Sequence, residues 1–229
     1  MRLVGDAFWS SRLDVDAVLR AQDADPTRIR QRSPRLVALA ARALREGMPL
    51  LSPAIIARRY TVLGSDHGGL RFRGGDRLSG RLVATECAPA VEIVVLGVTI
   101  GAGLETATAG AMTREPCFGL ALDGLGTAAV DRLASAETGR IAAMASAAGS
   151  CAGTPLSPGM EGWPLRQAQR EVFRLLGDGR HPVRLGETGM MTPRKSLTLV
   201  IGLGPGMHSG ASHCDFCSSR DRCRQRQAS

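Results

Sequence analysis

Aromatic side chains are scarce, 3% of a 229-residue chain, and Tyr60 is the single tyrosine. A core built from this sequence is therefore aliphatic and alanine-rich, and the shortage of rings argues against stacking on single-stranded nucleic acid. A signal-peptide run is also lacking, because the first residues, MRLVGDAFWSSRLDVD, acquire acids quickly. The most apolar segment, VEIVVLGVTIGAGL, is too short to span a bilayer and has Glu92 and Glu105 at its two ends. These absences predict a soluble, cytoplasmic protein with no membrane partner. No internal repeat occurs. Nothing points to hydrolase chemistry either: His181 precedes Pro182 in a loop and Ser196 opens a strand.

What is present starts with a 44% hydrophobic content, enough for one large domain or a domain with an appendage. The net charge of +8 is carried almost wholly by arginine. Such a balance suits an acidic partner, an anionic cofactor or nucleic acid. The charges are spread along the chain, however, which fits a compositional bias better than a dedicated patch. Six cysteines in a cytosolic chain read as thiols or ligands rather than disulfides.

Helices are expected at residues 11–22, after the Ser33-Pro34 start, over Leu104–Met112, over Leu125–Ala148 and over the amphipathic Leu165–Leu176, which Gly177 closes. Turn-broken strands are expected from Arg58 to Ala84, a buried central strand at VEIVVLGVT, and further strands at Cys117–Leu122, Val183–Glu187 and Ser196–Leu203. Hairpins and helices mix without regular alternation, so the fold class is α+β. Beyond Gly206 the hydrophobic pattern ends. This divides the chain into a domain, residues 1–206, and a basic, cysteine-bearing tail, residues 207–229.

Three stretches carry candidate chemistry. GVTIGAGLET follows a strand, but it lacks the third glycine of a dinucleotide loop, so its glycines read as a structural turn. The tail HCDFCSSRDRC places Cys214, Cys217 and Cys223 at a spacing that lets thiolates converge on zinc or an iron–sulfur cluster. Arg220, Arg222 and Arg224 would favour the thiolates, and His208, Cys87, Cys117 or Cys151 would supply a fourth ligand. Outside that role the last three read as buried small hydrophobes. Asp66-His67 reads as a turn pair. In SPGMEGWP, Pro158 and Pro164 fix the backbone, Gly159 and Gly162 permit close approach, and Trp163 offers a flat face ahead of a helix N-terminus. A ligand cradle and a tight structural turn explain that loop equally well.

TIGAGLET, LALDGLGTAAVDRLA, SPGMEGWPLRQAQREVFRLL and GETGMMTPRKSLTLVIGLG together resemble the activation (reactivation) domain of vitamin B12-dependent methionine synthase. The similarity extends to stand-alone forms associated with corrinoid methyltransferases. It implies a bent antiparallel sheet with flanking helices and S-adenosylmethionine in a shallow groove. The implied partner is a corrinoid protein or cobalamin-dependent methyltransferase, whose oxidised cobalt is reduced and remethylated. Asp131 takes the place of a family acidic residue facing the ligand's cationic groups. Ser157, Pro158, Gly159, Met160, Gly162 and Trp163 take the place of its cradle. The family's arginine and tyrosine in that cradle are replaced by Pro155 and Met160, and losing the charged bond alone costs roughly 1.5–3 kcal/mol. No catalytic residue is assigned, and the chain reads as a component of a methyltransferase system. The tail cluster would deliver an electron to cobalt. The alternative is a non-enzymatic zinc- or iron–sulfur-binding docking module on a degenerate activation-domain fold.

Overall fold

The computed structural model describes residues 2–3, 9–177, 182–208 and 213–216. Its strands are β1 (Arg2–Leu3), β2 (Ala54–Asp66), β3 (Gly69–Phe72), β4 (Arg77–Ser79), β5 (Glu92–Thr99), β6 (Cys151–Ala152), β7 (Arg184–Leu185), β8 (Met191–Thr192) and β9 (Ser196–Gly204). Its helices are α1 (Val15–Arg20), α2 (Pro26–Arg32), α3 (Pro34–Gly47), α4 (Arg81–Glu86), α5 (Gly103–Arg114), α6 (Pro116–Ala147) and α7 (Leu165–Leu176). The main sheet runs β4-β3-β2-β5-β9-β6 with every neighbouring pair antiparallel, and β1 adds to β2. β7 and β8 form a separate hairpin.

The continuous apolar pattern of β5 arises because helices cover both sheet faces. Val94, Leu96 and Val98 join Leu199, Ile201 and Leu203 of β9 in a core under α1, α3, α5 and α6. Ile93 and Val95 point the other way, with Val200, into a second core against α4, α7 and the loop that carries Trp163. A strand buried on both sides has no polar face to alternate with, so period two disappears from its sequence.

Two of the expected elements fail. Arg81–Ala84, read among the turn-broken strands, open helix α4 instead. Cys117–Leu122 is not a strand but the first part of the 32-residue helix α6, entered through Pro116 in its first turn. The glycines of its first half are packing positions. A Cβ on Gly119 would stand 2.8 Å from the Met112 backbone nitrogen on α5, and one on Gly124 would stand 2.9 Å from the Val18 carbonyl on α1. Each glycine lets another helix approach closely, at a cost in helix propensity of roughly 1 kcal/mol. Asp123, just beyond the expected strand, thereby falls inside the helix.

α7 has the bounds expected from the sequence, and Gly177 follows it at φ +84°. Its last carbonyls are bonded from β2, where the Tyr60 hydroxyl donates to Leu175 and the Arg58 guanidinium to Leu176 at 3.4 Å.

Candidate functional site

β5 ends at Thr99, just before Ile100, and β9 opens directly alongside at Ser196, just after Lys195. The Ile100 amide donates to the Lys195 carbonyl (3.2 Å), as does the Thr99 hydroxyl (3.3 Å). The Ser196 hydroxyl donates to the Pro193 carbonyl (2.7 Å) and lies 2.8 Å from the Thr99 hydroxyl. The Arg194 amide donates to the Glu105 carboxylate at 3.1 Å. TIGAGLET and MMTPRKS, distant in sequence, are therefore one knot. Gly101, at φ +79°, and Gly103 serve the turn expected of them, since Cβ atoms there would crowd Ser52 and the Leu50 carbonyl.

The third segment joins through Lys195, the chain's only lysine. Its ammonium lies 2.9 Å from Asp123 Oδ1 and donates to Thr127 Oγ1 at 2.8 Å. Asp131 is the next member of that i, i+4, i+8 row on α6. Asp131 is exposed, with protein packed around its helix position. That surrounding pushes its carboxyl above the usual range, while Lys195 and Arg132 pull the other way. Sequence reasoning missed Lys195. The available signal was a lone lysine in an arginine-rich chain, inside the MMTPRKS segment.

The loop behaves differently. Leu156 pairs with Val200 at the β9 edge, and the chain then closes on itself. The Gly159 amide donates to the Trp163 carbonyl, Met160 to Ser157, and Trp163 to Met160, at 2.9, 3.2 and 2.9 Å. The Ser157 amide meets the Met160 sulfur at 3.2 Å. Gly159 and Gly162 adopt φ +96° and +83°, which only glycine takes without strain. Met160 and Trp163 are buried in the core opposite α6 and offer a ligand no side-chain face. Ser157, Pro158 and Gly159 remain accessible.

No protein-family model matches the chain, and no curated protein matches it significantly. Among solved structures it is similar to a MetH reactivation domain bound to AdoHcy. That similarity has a TM-score of 0.61 and 12% identity, and it covers 91% of this chain and 76% of that one. The fold is that of a MetH reactivation domain. The α+β class and the curled antiparallel sheet expected from the sequence are thereby observed. Among the described residues no helix is long and apolar enough to cross a membrane.

Of the tail, Cys217 and Cys223 lie outside the described residues, and Cys214 falls in the short helical turn His213–Phe216. Among the described residues no group of three His, Cys, Asp or Glu is placed to hold a metal. Met207, the first tail residue, is buried, and the Phe216 carbonyl accepts from the Glu161 amide at 3.1 Å. Of the body cysteines only Cys87 is buried. Cys117 and Cys151 are exposed, against expectation, because they sit at the start of α6 and on the edge strand β6. Burial, with the charge of Glu86 adding to it, pushes the Cys87 thiol up to about 12. Iodoacetamide at about pH 8 is therefore expected to alkylate Cys117 and Cys151 and to spare Cys87 until the chain is unfolded. Peptide mass spectrometry reads this directly, and early labelling of Cys87 would contradict its placement.

Proposed function

We propose that this chain is an accessory protein of corrinoid-dependent methyl transfer that binds S-adenosylmethionine and assists reductive reactivation of a partner's cobalt. The observation that carries the reading is the meeting of three separate resemblance-bearing segments at the start of β9, around Lys195 and Asp131, within a reactivation-domain fold. In this role Asp131 faces the ligand's cationic groups, and Ser157, Pro158 and Gly159 form the accessible part of the cradle. The self-bonded loop, with Pro155 and Met160 in place of two ligand contacts, favours a second reading in which the fold serves docking alone.

Calorimetric titration with S-adenosylmethionine and AdoHcy separates the two. Saturable binding at roughly micromolar Kd, weakened about tenfold by Asp131→Asn, is expected. A carboxyl whose pKa is raised by folding destabilises the fold above that pKa, and the loss is relieved as pH falls through it. The same variant should therefore keep or raise Tm at neutral pH while losing affinity. A flat titration sinks the ligand reading and leaves docking. The three tail cysteines belong to the proposal as ligands of zinc or an iron–sulfur cluster. Metal analysis and electron paramagnetic resonance of the anaerobically purified full chain test them.

A further inference from the structure

β2 outruns its neighbour. Its pairing with β5 ends at Thr61 and Glu92, and from Val62 to Asp66 it pairs with β3 alone. Together with β4 this makes a three-stranded finger projecting from the sheet. Val62 faces Phe72 and Gly64 faces Arg71, so Leu63 is the extra residue of a β-bulge. A bulge re-aims the side chain it carries. Leu63 is 61% exposed.

Alternation puts Leu70, Phe72 and Leu78 inward and turns Arg71 and Arg77 outward. Arg71 and Arg77 stand directly opposite each other, an arrangement that costs stability between like charges. A Cβ on Gly64 would lie 3.5 Å from the Arg71 guanidinium, so that group lies beside the bulge. Arg73 follows on the same finger, and Arg59 flanks it. Nearby carboxylates engage only part of this charge: Asp66 holds Arg77 at 3.1 Å, and Glu92 lies 3.6 Å from Arg59. Arg71 and Arg73 make no direct ion pair among the described residues, although the Gly68 amide, joined by the charges of Arg77 and Arg71, holds the Asp66 carboxyl below the usual range. An exposed leucine flanked by arginines has the composition that protein interfaces favour.

We propose that this finger is a docking surface for an acidic protein segment, with Leu63 at the bulge seating an aliphatic side chain and Arg71 and Arg73 pairing with flanking carboxylates. Arginine forks match carboxylates bidentately. Single-stranded nucleic acid fits less well, because Tyr60 and Phe72, with ring centroids 5.7 Å apart, pack with the inner core and leave no ring for stacking. The surface stands whether or not S-adenosylmethionine binds.

Panning a random peptide library on the full chain tests it. Enriched sequences should combine Asp or Glu with an aliphatic residue. Synthetic copies should lose about tenfold in affinity to Arg71→Glu/Arg73→Glu, severalfold to Leu63→Ser, and steadily with added salt. The control Arg28→Glu/Arg35→Glu, on α2 and α3, should change little. All these sites are exposed, and an unchanged circular dichroism spectrum and Tm confirm folding. Selection without acid preference, or binding indifferent to Arg71 and Arg73, overturns the proposal. So does a short RNA duplex that binds through those arginines while the acidic peptides do not.

Discussion

Trp163→Ala is expected to remove about 3–5 kcal/mol of folding free energy, the usual cost of emptying a large buried aromatic site. Trp163 is fully buried, and it lies so close to Gly80 that a Cβ there would stand 2.4 Å from the indole ring. The strand-helix connection at Gly80 is thus shaped around this ring, and the Leu82 amide bonds the adjoining Gly162 carbonyl at 3.2 Å. Trp163→Phe should cost far less, because the indole Nε1 has no partner among the described residues and its loss breaks no bond. Urea denaturation followed by circular dichroism measures both. A loss below about 1 kcal/mol for the alanine variant would mean that the ring is not a core element. A ligand platform would instead lose binding without losing stability.

Gly69→Val is expected to cost about 2–4 kcal/mol and to detach β4 from the finger. Gly69 sits at φ +150°, and a Cβ there would lie 2.0 Å from the Leu78 carbonyl oxygen and 2.9 Å from the Ser79 Cα. Both obstacles are backbone, so no rotamer change relieves them. The β3–β4 register, Gly69 to Ser79 and Leu70 to Leu78, must break for the side chain to fit. The freed Ser79 amide would also lose the Glu171 carboxylate that accepts from it at 2.6 Å. Hydrogen exchange of the β4 amides reports this locally. Protection as in the native chain would show that the strands accommodate the substitution.

α7 was legible in the sequence because its amphipathic stripe and closing glycine are local signals. β5 was legible because a valine-rich run of that length has few other uses. α6 was not, since Gly119 and Gly124 look like breaks until α5 and α1 are placed against them. The candidate site was legible in pieces only. TIGAGLET, LALDGLGTAAVDRLA and MMTPRKS each stood out, but nothing local says that Lys195 ties them together. The arginine finger was invisible for the same reason. Arg71, Arg73 and Arg77 sit together in RFRGGDR, but their outward placement follows from the register of β3 on β4, and Leu63 joins them only through the bulge in β2.

Lys195 has a consequence for chemistry performed on the protein. Acylation, isopeptide attachment of a modifier and amine crosslinking all need a neutral amine, and this sequence offers one side-chain address for them. That address is an ammonium clasped by Asp123 and Thr127, which must give up a proton and both contacts before it reacts. The finger's charge, by contrast, is written in guanidinium groups, which stay protonated and do not acylate under conditions that modify lysine. Its attraction for anionic partners is therefore fixed at synthesis and beyond the reach of acetylation.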